Sequence, residues 1–352
     1  MVSSTGSGDF DDVKDGAGAG DHFVILDGHD VVLTGATALG SIAINGNGTL
    51  DGNGQTLTLN DGGQANIFSS VGTGADTSAI KGILDVDITG TTARGINEAG
   101  TGGIRNLTIT GNAIFTLQYH LTLTGTLTVT ASSTLDTGAD KNLTVTSDLD
   151  ITGTLNGNAS TIACNSLTVN TNGTYNATSG ITYIESLTTS ESPQSMHTTA
   201  GTMNHNDGKV WYRGKGANNL RWGEGHVYDL HVECDGSSGS AIILEGDAGA
   251  GHVEVMNDLT LTNQSGNGLL CRMNGTNYDL TVHGDMYLKR GDSSTSSESI
   301  YFYYNGDSTA NWDIKGKLHL SGNEHVRFRA PNASGRLRVG SFINEGAYFQ
   351  ST

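Results

Sequence analysis

One short stretch carries most of the side chains needed for acid–base chemistry: Arg221, Glu224, His226 and Asp229, beside Trp222 and Tyr228. A pair of carboxylates, or a carboxylate with a cation, can protonate a leaving oxygen and activate a water, as glycan-cleaving sites do. A carbohydrate site would sit here if the chain has one; the bland alternative, a longer surface loop, is the preferred reading. Asp85 and Asp87 alternate along one segment, as do Asp148 and Asp150, with no basic residue close in sequence. Alternation turns such pairs toward solvent, so they read as solvated strand faces. His197 and His205, near Met196, Met203 and Asp207, lack a metal-ligand spacing. Asp9, Asp11, Asp12 and Asp15 lack the ordered spacing and turn glycine of a calcium loop. Residues 46–54 (GNGTLDGNG) are glycine-rich, but no Lys-Ser/Thr follows and no helix opens, which excludes a phosphate loop. No residue is therefore assigned a catalytic, cofactor-binding or metal-ligating role, and no cofactor is expected.

The remaining chemical signal is aromatic. Rings are sparse before residue 200 and frequent after it. Residues 300–304 (IYFYY) alternate, so two of those rings must face away from whichever side packs inward. Exposed rings mark subunit contacts or sugar platforms, whereas buried ones fill a wider core. Trp211, Trp222, Tyr228, Tyr301, Tyr303 and Phe349 are the candidate contacts for a partner or a glycan.

The elements that would position these groups are short strands. The chain has 352 residues, 51 of them glycine and 2 proline, and only 15% are charged. Thr, Ser, Asn and Gly in these amounts suit brief strands separated by tight turns, and no stretch has helical period. A leucine between polar residues, followed by a second apolar residue, keeps returning: Asn106-Leu107, Asn142-Leu143, Ser166-Leu167, Asp229-Leu230, Asp258-Leu259 and Asp279-Leu280. Leu84 to Leu107 spans 23 residues, Leu121 to Leu143 spans 22 and Leu143 to Leu167 spans 24, whereas Leu107 to Leu121 is only 14, so one of those two belongs on another face. Recurrence of this kind predicts an all-β fold, a single-stranded parallel β-helix (β-solenoid) with coils of about 22–24 residues. An antiparallel sandwich would show strand pairs joined by two-residue turns instead. The alternation places Leu143, Val145, Leu149 and Ile151 inward. Roughly 12–14 coils at about 4.8 Å would make a rod of roughly 60 Å.

The expected organisation is an acidic Gly/Asp-rich arm or cap over 1–20, a regular solenoid over 21–190, and an elaborated aromatic-rich continuation over 191–352. Its closing segment, 341–352, would cap or attach. Open solenoid ends are sheet edges that something must cover. Net charge is −18, concentrated in residues 1–200, which argues against nucleic acid and anionic membranes as partners. Apolar runs are too short to span a bilayer, so no membrane insertion is expected. Cys164, Cys234 and Cys271 are far apart and odd in number, which argues against a disulfide framework. No secretory signal is visible at the start.

Two stretches carry a resemblance. Residues 20–35 (GDHFVILDGHDVVLTG) with 42–59 (IAINGNGTLDGNGQTLTL), and residues 208–233 (GKVWYRGKGANNLRWGEGHVYDLHVE), resemble glycine-patterned β-helix modules of phage virion proteins and bacterial surface proteins. The resemblance covers about a fifth of the chain. It implies a non-enzymatic structural protein of a phage virion, a capsid decoration or a tail-associated fibre or spike, assembled in the host cytoplasm. Its partners would be other virion proteins or itself, as a homo-oligomer for which a trimer is one candidate. The alternatives are an extracellular adhesin or surface filament subunit, and a tailspike that binds or cleaves cell-surface glycan.

Overall fold

The computed structural model describes residues 2–3, 8–9, 19–61, 63–70, 79–97, 103–186, 194–214, 218–234, 241–246, 252–263, 269–274, 279–290, 300–305, 309–322, 326–331 and 335–350. The described residues form strands and turns with no helix. The paired strands run parallel, each beside a segment met about 20 to 32 residues later. The chain divides into two compact units, Met1–Ala163 with Thr171–Asn176, and Cys164–Asn170 with Ala177–Thr352.

In the first unit the inward residues stand in columns. Leu57, Val86, Leu107, Leu127 and Leu149 pair in register, and so do Leu59, Ile88, Ile109, Val129 and Ile151. All ten are buried, each leucine contributing roughly 1.5–3 kcal/mol by leaving water. From Val86 onward the steps are 21, 20 and 22 residues, slightly shorter than the 22–24 expected. Leu121 and Leu123 pair with Leu143 and Val145, in a separate column. The out-of-step leucine thus marks a second face that uses the same phrase. The nine-residue strand Leu143–Ile151 serves both columns: buried Leu143 and Val145 pair with Leu121 and Leu123, and buried Leu149 and Ile151 with Leu127 and Val129.

The polar residue before an inward column residue has a structural task at six positions. Its side chain accepts a hydrogen bond from a main-chain N–H about 20 to 30 residues further on. Asp85 Oδ1 accepts from the Asn106 N–H at 3.2 Å, Asn106 Oδ1 from Thr126 at 2.9 Å, and Asn142 Oδ1 from Thr161 at 3.1 Å. The second unit repeats this: Asp229 accepts from Asp258 at 3.1 Å, Asp258 from Asp285 and Asp285 from Lys317, both at 2.7 Å. Two of these N–H groups, on Asn106 and Lys317, lie where the strand pairing shifts register, and the side-chain acceptors help to fix it.

The second unit keeps the columns but fills them with larger groups. Leu230, Leu259, Met286, Leu318 and Phe342 are in line, as are Cys271, Phe302, Phe328 and Phe349. Trp312 lies against Phe302 and Phe328, with ring centroids 5.1 and 5.6 Å away. In the strand Ile300–Asn305, Ile300 and Phe302 are buried while Tyr301 and Tyr303 face outward. The later aromatics are therefore divided between core and surface by simple alternation.

Candidate functional site

The densest chemistry lies on the outer face of the second unit. There Tyr183, Trp211, His231, Thr260, Tyr287 and His319 form one column, in register strand after strand. Trp211 stacks on His231 at 4.5 Å, nearly parallel, and meets Tyr183 at 5.6 Å. Its indole N–H donates to Glu233 Oε2 at 3.0 Å. Arg213 lies 5.6 Å over the indole and pairs with Glu233 and Glu185, each at 3.6 Å. Glu233, on an outward position, is only 3% exposed, so its charge is screened by Trp211 and Arg213 instead of water. The rings stack along the strand-to-strand direction and turn edges outward. A sugar needs a ring face, so this column works mainly as a clamp between neighbouring strands.

His231 shares a hydrogen bond with Thr262 Oγ1 at 2.6 Å. Burial, aided by Lys209, Lys289 and Arg213, pushes its pKa down to about 4. An unfolded histidine titrates near 6.5. Between those values the unfolded chain binds the extra proton, so stability falls as pH drops from about 6.5 to about 4. His231→Gln is expected to flatten that slope in urea unfolding while leaving stability near pH 8 little changed. An undiminished slope in the variant would refute the assignment. Hydrogen bonding from Tyr287 and the Lys317 N–H holds Asp285 below the usual carboxylate range, so its contribution persists until lower pH.

A second outward set links the strands His252–Val255 and Asn311–Ser321 through the bend that follows Asp279–Val282. His283 Nε2 donates to Glu254 Oε1 at 2.7 Å, and the Lys315 ammonium donates to His283 Nδ1 at 3.1 Å. The Gly225 N–H also donates to Glu254, at 2.9 Å. Burial works to raise the Glu254 carboxyl, but the hydrogen bonds from His283 and Gly225 outweigh it, and its pKa lies below the ordinary value. The set holds charge in line along the face. Neither this set nor the Trp211 column was legible in sequence, apart from Trp211 itself. Their members lie 20 to 32 residues apart across loops of unequal length, and only the register brings them together.

The stretch 221–229 does not act as one group. Glu224 pairs with His252 at 2.9 Å, and His226 shares a hydrogen bond with Thr198 at 3.1 Å. Asp229 accepts from the Asn257 side chain at 2.9 Å and from the Asp258 N–H. Arg221 stands in register between His197 and Glu245. Trp222 requires a correction: it is fully buried and its indole donates to the Glu254 carbonyl at 2.7 Å, so it offers no surface contact. Tyr228 is half-buried and stacks on His205 at 5.2 Å. Tyr301 and Tyr303 stack on each other at 4.5 Å and remain half-exposed. Phe349 lies parallel to Phe328 at 5.8 Å and is 37% exposed.

Elsewhere, Arg105 holds Asp85 through two nitrogens, at 2.9 and 2.6 Å. That hydrogen bonding keeps the Asp85 carboxyl below its ordinary range. The cation missing from the sequence neighbourhood arrives from the adjacent strand. Burial raises Asp150, with help from Asp148. Among the described residues no three His, Cys, Asp or Glu side chains gather as a metal site. The side chains of Asp9, Asp11, Asp12 and Asp15 lie outside the described residues, as does that of Cys234. Cys164 and Cys271 are buried thiols. Among the described residues no helix is long and apolar enough to cross a membrane. Compared with protein-family models, curated proteins and solved structures, the chain has no match.

Proposed function

We propose that this chain is a non-enzymatic structural protein of a bacteriophage particle, a capsid decoration or tail-associated fibre or spike, built as a parallel β-solenoid. The observation that carries this reading is the use made of the outward carboxylates. Asp85, Asp229, Asp258 and Asp285 accept main-chain N–H groups of the next strand layer. Groups committed to register are poor general acids or bases, because moving a proton there would release a corner. The parallel pairing and the in-register apolar columns support the solenoid, since a single layer cannot bury its own apolar side. The particle setting follows from the glycine-patterned phrases of residues 20–59 and 208–233. Tyr301 and Tyr303 are the surface rings assigned to a partner or glycan contact.

Quantitative proteomics of purified particles from the source of this chain tests the reading. Abundance near that of the main shell protein identifies a decoration, and a few copies per particle identifies a tail or spike component. Absence from particles overturns the virion reading and leaves the extracellular adhesin in its place.

A further inference from the structure

The second outward set ends on a nucleophile. His252 and Glu254 are the outward residues of the strand His252–Val255, and Asp313 and Lys315 are outward residues of Asn311–Ser321. Glu254, Thr281 and Asp313 stand in register, which lays these strands side by side. His283, two residues beyond Thr281, bridges them. Its Nε2 donates to Glu254 Oε1 at 2.7 Å, and its Nδ1 accepts from the exposed Lys315 ammonium at 3.1 Å. The Gly225 N–H holds the other oxygen of Glu254 at 2.9 Å. A held carboxylate orients an imidazole, and the imidazole faces an amine. A nucleophile within reach of a base that a third group orients is the general form of an activated nucleophile.

Among the described lysines, Lys315 alone has its ammonium against an imidazole. Lys317 pairs with Asp285 at 3.7 Å, and Asp285, held below the usual carboxylate range, is a poor acceptor for a proton. Lys289 lies over the Tyr287 ring at 4.1 Å, where there is no base.

Charge indicates which electrophile suits the amine. Glu254 and Asp313 flank Thr281, and Glu224 pairs with His252 beside Glu254. Arg338 lies beyond Asp313 and offsets it in part, so Glu254 supplies most of the field. An anionic surrounding favours a product that keeps its positive charge. Acylation would discharge the ammonium and pass through an oxyanion facing these carboxylates. Condensation with an aldehyde gives an iminium, which carries the charge the ammonium had.

We propose that Lys315 is a covalent modification site for aldehydes, the open-chain form of a reducing sugar included, with His283 as its acid–base partner and Glu254 as the positioning residue. His283 Nδ1 takes a proton from the ammonium. The freed amine adds to the carbonyl carbon, and a second amine proton passes to the carbonyl oxygen, giving a carbinolamine. His283 returns its proton to that hydroxyl, which leaves as water while the nitrogen lone pair closes the C=N bond. One water is released, and nothing is oxidised or reduced. The inference goes beyond the particle reading and does not rest on it.

The test is reductive trapping on the full folded chain. Glyceraldehyde and cyanoborohydride are applied at neutral pH to low conversion. The protein is then cut with a glutamate-specific protease, and each lysine is quantified by mass spectrometry. Lys289 and Lys317, on the outer face of the same unit, are internal references. Lys315 is expected to react at least about tenfold faster than either, the low end of what a positioned acid–base group contributes. His283→Gln keeps a hydrogen-bonding side chain but cannot take the proton. It is expected to bring Lys315 down to the rate of the references and to leave theirs unchanged. Glu254→Gln still accepts from the Gly225 N–H and is expected to slow Lys315 several-fold, again without moving Lys289. An unchanged sheet spectrum in circular dichroism shows that each variant folds.

A native Lys315 that reacts no faster than Lys289 and Lys317 overturns the proposal. So does a fast Lys315 whose rate survives His283→Gln, which would mean that exposure alone sets it. Neither result bears on the particle reading, which is decided by presence in purified particles.

Discussion

Trp312→Ala is expected to destabilise the second unit by about 3–5 kcal/mol, the usual range for deleting a buried aromatic side chain. Trp312 is fully buried against Phe302 and Phe328, and Phe302 and Phe328 also meet each other, at 5.9 Å. Two large rings cannot collapse onto the space of a third without leaving rotamer minima, so a cavity remains. The indole N–H of Trp312 meets no acceptor among the described residues. Trp312→Phe therefore removes little hydrogen bonding and is expected to lose no more than about 1–2 kcal/mol. Both changes can be read by urea unfolding followed through tryptophan fluorescence. The remaining indoles, Trp211 and Trp222, lie in the same unit. Equal losses for Ala and Phe would show that the indole edge, not volume, stabilises this part of the core.

The second large effect belongs to Gly111. Its φ is +97°, a conformation that side chains with a Cβ rarely adopt. It stands in register with Gly90, and a Cβ placed on it would run into the Gly90 carbonyl oxygen and come 2.8 Å from the Gly90 nitrogen. Both obstacles are main chain, so no rotamer change relieves them. Gly111→Ala should destabilise the first unit by about 3 kcal/mol or more, combining conformational strain with a forced shift of the pairing. Gly54 is the control: its φ is +75°, and a Cβ there meets nothing within 4 Å. Gly54→Ala should show the strain alone, about 1–2 kcal/mol. Amide hydrogen exchange of residues 104–117, compared between the two variants, separates the contributions. Similar protection in both would mean that the close approach to Gly90 is not what requires glycine.

Sequence made the inward residues legible because alternation is local. Leu143, Val145, Leu149 and Ile151 are all buried as the two-residue period requires. The same rule, carried two residues past the buried Leu220, would also have put Trp222 inside. Its proximity to Glu224 and His226 drew it toward a surface site instead. The interval was harder. Leu121 and Leu107 carry the same phrase yet belong to different columns, Leu107 in register with Leu127 and Leu121 with Leu143. A count that merges the faces gives a mixed period.

The surface clusters were illegible for a different reason. Tyr183, Trp211 and His231 are separated by 28 and 20 residues, and the loop between the first two differs in length from the next. No spacing rule connects them until the register is known. Asp229 shows the converse error. Beside Arg221, Glu224 and His226 it has the composition of a catalytic group, but its carboxylate is turned to the Asp258 N–H and the Asn257 amide. Residue type was informative there, and residue role was set by the strand one layer away.

The corner bonds of the first unit have an evolutionary consequence. Asp85 faces the Asn106 N–H, and Asn106 faces the Thr126 N–H. Each acceptor reads only the layer that follows it, so nothing in the ladder registers how many layers there are. Excision of residues 106–125 would leave Asp85 opposite the Thr126 N–H, a group of the same kind. A one-residue slip of a strand within its pairing would instead turn the leucines outward. Homologous chains should therefore be able to differ by whole strand repeats of about 20 to 22 residues, with smaller length changes confined to the connections between paired strands.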